Sequence, residues 1–199
     1  RILANVNDPL AQNQWSLPEV NAPELWDEID PSKQSVVAVI DSGFGLAHED
    51  LVNQWHRNSG EEGMTQVGDT CWDGNTRNKT TNNCDDDSNG YVDDWRGWDF
   101  YYVDNIPSAG SQNQNGDGVS HGTQVSGLVG AQTNNSLGVA SIGYSNKIMP
   151  LQVLNDDGSG YTSDIVSAVY YAVDNGADVI NLSLGTAYQD NSLKSALEY

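Results

Sequence analysis

The stretch Val36-Val37-Ala38-Val39-Ile40-Asp41-Ser42-Gly43 decides how the rest of the chain is read. Five apolar residues follow one another without a polar break, and all but Ala38 are β-branched. β-Branched side chains favour the pleated strand, and a run without alternation is apolar on both faces. Such a strand belongs at the centre of a parallel sheet covered on both sides. It stops abruptly at Asp41-Ser42-Gly43, which therefore lies at the carboxyl end of a strand. Ligands of open parallel sheets bind at such ends.

Moving toward the carboxyl terminus, regular structure resumes at His121. Val125, Leu128 and Val129 are spaced as on a helix, and small residues at Gly122, Ser126, Gly127, Gly130 and Ala131 let that helix sit close to its neighbours. Lys147-Ile148-Met149-Pro150-Leu151-Gln152-Val153-Leu154 reads as a second strand, with Pro150 an awkward member. Ser163 is placed to cap a helix whose stripe is Ile165, Val166, Val169, Ala172 and Val173, and Gly176 ends it. Asp178-Val179-Ile180-Asn181-Leu182-Ser183 is a third strand. Strand, helix, strand, helix, strand gives an α/β fold: a three-layer, mainly parallel sheet with helices on both faces.

Two regions lie outside that alternation. Residues 1–34 are polar and proline-bearing, with a short helix expected from Pro23 to Ile29. Residues 53–118 are rich in Asn, Asp, Gly and Thr, too long for a plain connection and too poor in aliphatic residues for a core of their own. They read as a loop-rich insertion.

The 199 residues carry 28 Asp and Glu against 8 Lys and Arg, a formal charge of -20. That field repels nucleic-acid backbones and anionic lipid, so neither nucleic acid nor a membrane surface is an expected partner. The longest strongly apolar run, residues 36–40, is far below the roughly 18 residues of a membrane span. No glycine-rich phosphate loop follows Ile40, which disfavours a nucleotide-binding domain. Cys71 and Cys84 lack the spacing of a zinc site. They read as one disulfide formed in an oxidising compartment, the alternative being two free thiols. The chain begins at Arg1 with neither an initiator Met nor an apolar leader, which leaves open whether a targeting or pro-segment preceded it.

Asp41 and His121 are chemically suited to one another: a buried carboxylate fixes an imidazole's tautomer and stabilises the imidazolium. Alone, each is an ordinary turn or structural residue. In sequence order, however, come Val39-Ile40-Asp41-Ser42-Gly43, then His48-Glu49-Asp50-Leu51, His121-Gly122-Thr123, Asn134-Asn135-Ser136-Leu137-Gly138-Val139, Asp157-Gly158-Ser159-Gly160 and Val179-Ile180-Asn181-Leu182-Ser183-Leu184-Gly185. This series resembles the subtilisin-like serine peptidases, the subtilases. The resemblance implies that Asp41 orients His121, that His121 is the general base, and that residues 1–199 are the amino-terminal part of a peptidase domain. It implies that an extended peptide or protein substrate pairs with Gly158, Ser159 and Gly160 on one side and Ser183, Leu184 and Gly185 on the other.

Many subtilases have a second His where Gln124 stands. A larger departure is that neither the oxyanion Asn nor the segment bearing the nucleophilic Ser is present. Ser42, beside the acid, and Ser183, on the strand expected to present backbone, are poor substitutes. The expectation is therefore a secreted serine endopeptidase whose Ser and oxyanion Asn lie in a carboxyl-terminal fragment of the same peptidase. The rival is a catalytically inactive, calcium-binding subtilase-like module that binds peptides or a partner.

Calcium is expected at two places. Asp85-Asp86-Asp87-Ser88-Asn89-Gly90-Tyr91-Val92-Asp93-Asp94 crowds five Asp into ten residues. Asp85, Asp87 and Asn89 have the first, third and fifth positions of a calcium loop, Tyr91 offers a carbonyl, and Asp93 the ninth position. The twelfth is Arg96, so Asp94 is an alternative final ligand, and a solvated acidic loop is the rival reading. The second place is implied by the resemblance to thermitase-like subtilases: Asp8, Asp50, Asn135 and the carbonyls of Gln132, Leu137 and Val139.

Overall fold

A computed structural model describes residues 6–30, 32–110 and 121–199 of the chain. Residues 111–118, the last part of the loop-rich stretch, lie outside that description.

The chain opens with two short helices, α1 (Ser16–Glu19) and α2 (Ala22–Trp26), the latter with Pro23 in its first turn. α2 is shorter than the Pro23 to Ile29 helix expected from sequence. Leu17, Ala22 and Trp26 pack with Ala140 in a small apolar cluster of their own. Gln14 ties this segment to the body by two 2.8 Å hydrogen bonds with the backbone of Ala140.

β1 (Val36–Asp41) is buried from its second residue onward, as an apolar run with no alternation requires. Its odd and even positions face different layers. Val37 and Val39 join Phe44, Leu51, Trp55 and Ile148, against which Val125 and Val129 of α3 (His121–Gly130) pack. Ala38 and Ile40 join Met149, Leu151 and the Ile165, Ala168, Val169, Ala172 face of α4 (Thr162–Asp174). The two helices thus cover opposite faces of the sheet. Together with β2 (Trp98–Asp99), β3 (Lys147–Gln152) and β4 (Val179–Leu182), β1 forms a four-stranded sheet in the order β2-β3-β1-β4, every pairing parallel. The α/β architecture with helices on both faces is as expected.

Pro150 sits inside β3 opposite Val39. Ile148 directs its N–H to Gln54 O and accepts from His56 N, away from β1. Pro150, two residues on, turns its nitrogen to that same side, where β2 begins only opposite Leu151. The missing N–H therefore breaks no ladder bond to β1.

α4 begins two residues earlier than expected, and Ser163 is not its cap: Tyr161 holds that position without a side-chain bond, while Ser163 Oγ donates to Asp164. Its other end is as read. Gly176, at φ +83°, lets Ala177 N reach Ala172 O and Gly176 N reach Val173 O, closing the helix in a Schellman turn. A final helix, α5 (Asn191–Leu197), follows, and Asp190 caps it by accepting from Ser192 N and Leu193 N.

The loop-rich stretch contributes aromatic rings rather than aliphatic bulk. Tyr91 meets Trp98, Phe100 and Tyr171 of α4 edge-on, and Phe100 meets Tyr171 in the same way. Cys71 and Cys84 are joined in a disulfide, the pairing expected for an oxidising compartment.

Candidate active site and cation-binding groups

Asp41 is the last residue of β1 and is almost fully buried. Its position is set from the backbone: its carbonyl accepts from Val153 N at 2.9 Å and Leu154 N at 3.3 Å beyond β3. Its carboxylate is aimed by its neighbour, Oδ1 accepting from Ser42 N at 2.7 Å and Ser42 Oγ at 3.2 Å. His121 is the first residue of α3, and its Nδ1 lies 2.8 Å from Asp41 Oδ1 and 3.0 Å from Oδ2. An ionised carboxylate can only accept, so Nδ1 is the donor in this contact, and in the neutral ring that tautomer leaves the lone pair on Nε2. The carboxylate side chain is 1% exposed and the imidazole 49% exposed, so the pair has a buried acceptor and an accessible ring.

The contact depends on how closely α3 approaches the loop after β1. A Cβ on Gly122 would lie 2.4 Å from Gly43 O and 3.2 Å from Asp41 Cβ. Gly43 itself stands at φ +100°, with a Cβ position 2.8 Å from Ala109 N. Both glycines are legible in the sequence as small residues; their role in letting the two segments meet is not.

A cleft of about 800 Å³ opens over this pair and is lined by Asp41, His121, Gln124 and Leu154. All six residues expected to pair with substrate, Gly158, Ser159, Gly160, Ser183, Leu184 and Gly185, also line it. The first three sit on a turn that Asn155 organises: its Oδ1 accepts from Asp157 N and Ser159 N, and its N–H donates to Ser159 O. A Cβ on Gly160 would fall 2.1 Å from Val153 O, so the turn folds back only with glycine there. Asn155 went unnoticed in the sequence, although Asn two residues before Asp-Gly is an Asx-turn signal.

The groups expected to hold calcium fall into two places. Asp8 and Asp50 are both buried. Asp8 accepts from Asn134 N and Asn135 N, while Asp50 accepts from Asn135 Nδ2 at 2.8 Å and Val139 N at 3.0 Å. Gln132 N donates to Asp50 O, and Gly138 comes so near that a Cβ would meet Asp50 Oδ2 at 2.2 Å. Asn135 Oδ1 is turned toward Leu137 N. Asp8, Asp50 and the 132–139 loop thus share one corner of the fold.

In the acidic loop the carboxylates diverge. Asp85 accepts from Asn89 N and Gly90 N, and both oxygens of Asp93 accept from Asn83 N. Asn89 Oδ1 accepts from Tyr91 N. Asp87 and Asp94 instead converge with Glu61, one oxygen of each lying within 4.8 Å of the others. Glu61 was missed in the sequence, being 24 residues away from Asp85 in a stretch without period. It is wholly buried, and burial pushes its carboxyl up to about 7. Burial also raises Asp94, against the opposing hydrogen bond from Tyr171. Two unit charges ~4.8 Å apart at an effective dielectric of about 20 repel by roughly 3.5 kcal/mol, so three ionised groups there need a counter-charge.

Asp99, on β2, is another buried carboxyl, pushed up to about 6 chiefly by burial, with Asp104 and Asp164 adding repulsion against N–H donors from Tyr102 and Tyr101. A raised carboxyl favours the folded state while protonated, so its contribution is complete below pH ~4 and is lost as pH rises through about 6. Asp99→Asn, measured by thermal melts of the full-length protein in chelator, is expected to remove at most about 3 kcal/mol of this decline between pH 4 and 7.

Among the described residues no helix is long and apolar enough to cross a membrane. Residues 32–199 match the model of the subtilase family. The chain is 30% identical to thermitase of Thermoactinomyces vulgaris over 97% of its own length and 52% of that protein. It is 30% identical to the halolysin-like extracellular serine protease Nep of Natrialba magadii over 90% of its length and 26% of that protein. Its structure resembles a protease of Pseudoalteromonas arctica with a TM-score of 0.64 and 26% identity, covering 98% of this chain and 55% of that one. The chain thus spans about half the length of thermitase and of the arctica protease, and about a quarter of Nep. A family match over residues 32–199, on a chain whose parallel sheet brings Asp41 and His121 together, leads to one conclusion: the chain belongs to the subtilase family.

Proposed function

We propose that the full-length protein is a secreted, calcium-stabilised serine endopeptidase of the subtilisin type, in which Asp41 orients His121 and His121 acts as general base. The observation that carries this reading is the 2.8 Å contact between His121 Nδ1 and Asp41 Oδ1 at the mouth of a peptide-sized cleft. The nucleophilic Ser and the oxyanion Asn are supplied by a carboxyl-terminal portion outside residues 1–199.

An extended peptide lies between the 158–160 turn and residues 183–185, whose glycines admit a close backbone. Nε2, left unprotonated by the Asp41 contact, takes the proton of the Ser hydroxyl as it attacks the scissile carbonyl. Asp41 stabilises the imidazolium that forms, and the proton then passes to the leaving amine. Water hydrolyses the acyl-enzyme by the same base. Calcium takes no part in bond cleavage: Asp8, Asp50, Asn135 and the carbonyls of Gln132, Leu137 and Val139 would hold one ion, joining the amino-terminal segment to the body. The acidic loop with Asp85, Asp87, Asn89, Tyr91, Asp93 and Asp94 would hold another.

A fluorophosphonate probe on the full-length protein, followed by peptide mapping, tests the reading. The expected label is on a Ser beyond Tyr199, with casein hydrolysis abolished in parallel. Label on Ser42 or Ser183 would overturn the division of the triad. No label and no hydrolysis would favour the inactive, peptide-binding module.

A further inference from the structure

We infer that Glu61, Asp87 and Asp94 form a binding site for a hard divalent cation of the calcium class, assembled from two separate stretches of chain rather than by the contiguous 85–93 loop. The inference rests on the reading that the acidic loop binds calcium, and changes which residues do so. Glu61 is 0% exposed; its Oε1 accepts from Asp86 N at 2.6 Å and Asp87 N at 3.2 Å, and its Oε2, also buried, has no hydrogen-bond partner among the described residues. A buried carboxylate oxygen without a donor costs free energy unless a cation or proton satisfies it.

The groups facing Glu61 orient the other two carboxylates without cancelling their charge. Asn58 Nδ2 donates to Asp87 Oδ2 and Asp94 Oδ1, each at 2.9 Å, and Asn89 Nδ2 to Asp94 Oδ2 at 2.9 Å. Tyr171 donates its hydroxyl to Asp94 Oδ2 at 2.5 Å. Gly60 allows the turn bearing Glu61 to press on the loop, since a Cβ there would lie 2.5 Å from Asp87 Cβ. Asp87 is exposed, giving an ion a way in. Three carboxylates with water completing the shell match calcium's preference for oxygen donors. Asp85 and Asp93, the first and ninth positions of the loop pattern, accept from backbone N–H groups and are not among the converging carboxylates, whereas Asp87, although its Oδ1 also accepts from Asn89 N at 3.1 Å, is. An ion at Glu61 would clamp the Ser59–Glu61 turn and the acidic loop onto α4, through Tyr171 and through the Asn89 bond to Asn175.

Calcium stoichiometry and affinity should be measured on the full-length protein after chelation and readdition, for the unmodified chain, Glu61→Gln, Asp85→Asn and Asp50→Asn. Glu61→Gln keeps an oxygen for Asp86 N and Asp87 N. It is expected to lose one equivalent of calcium, or to weaken that equivalent at least tenfold, while Asp85→Asn keeps it. If Glu61→Gln retains every equivalent at unchanged affinity and Asp85→Asn loses one, the contiguous loop is the site and the inference fails alone. If only Asp50→Asn loses an ion, the acidic loop binds none and both readings fail. A terbium-soaked crystal of the unmodified protein removes any dependence on variant folding. An anomalous peak among Glu61, Asp87 and Asp94 supports the site, and terbium found only elsewhere overturns it.

Discussion

His121→Ala is expected to lower kcat of the full-length protein by about 10⁶, and Asp41→Asn by about 10⁴, with KM changed far less. These magnitudes are those known for subtilisin-type triads rather than values derived from this geometry. Their ordering follows from the contacts described above. Without the imidazole there is no acceptor for the Ser proton and no donor to the leaving amine. With Asn at position 41 the ring still has a hydrogen-bonding neighbour, but an amide can donate as well as accept. It no longer compels the proton onto Nδ1, and it gives the imidazolium no counter-charge. Because Oδ1 of Asp41 is also held by Ser42 N, the Asn variant should fold. Active-site titration with the fluorophosphonate, beside kcat and KM on a peptide substrate, checks both effects. An Asp41→Asn enzyme with undiminished kcat would remove the orienting role.

Gly122→Ala should be the most damaging single methyl that can be added to α3. Its Cβ would stand 2.4 Å from Gly43 O, a backbone atom that cannot rotate away. Relief requires the start of α3 or the 42–44 loop to move by close to an ångström. Overpacking of this kind costs about 1–3 kcal/mol. The same movement separates His121 Nδ1 from Asp41, and a displacement of that size costs on the order of 10²-fold in rate. Gly127→Ala is the internal control: it lies on the same helix, but among the described residues its Cβ would meet nothing nearer than Val139 Cγ2 at 3.9 Å. There the added methyl is expected to be neutral or to stabilise by up to about 1 kcal/mol, because alanine is the better helix former. Chemical denaturation and kcat/KM of the two variants, measured side by side, separate the close approach from helix propensity. Equal behaviour of the two would show that the tight passage at Gly122 is not needed.

The legible part of this protein is the part written in consecutive residues. The apolar run ending at Asp41 specified a buried central strand, and the small-residue helix after His121 and the stripe at Ile165, Val169 and Ala172 specified the two covering layers. Pro150 shows the limit of such reading. The sequence marks it as a fault in a strand, and only the side to which its nitrogen turns makes it harmless. α5 carries no legible stripe because its apolar positions are few, and its cap, Asp190, is an ordinary acidic residue until its carboxylate is seen accepting from Ser192 N. The acidic loop shows a different limit. Regular spacing suggested a contiguous set of ligands, whereas Asp85 and Asp93 face backbone amides and Asp87 and Asp94 face Glu61.

The amino-acid sequence by itself determined the layers, the strand ends and the ordered motifs that mark a subtilase, because periodicity and residue type act over a few neighbouring positions. Only the tertiary structure decided which distant groups meet. Asp41 and His121, 80 positions apart, are in contact because α3 passes over Gly43 at a distance that glycine alone allows. Glu61 reaches Asp94 because a turn and a loop fold onto the same helix. Contacts of that kind depend on how the chain closes on itself, and no local pattern encodes the closure.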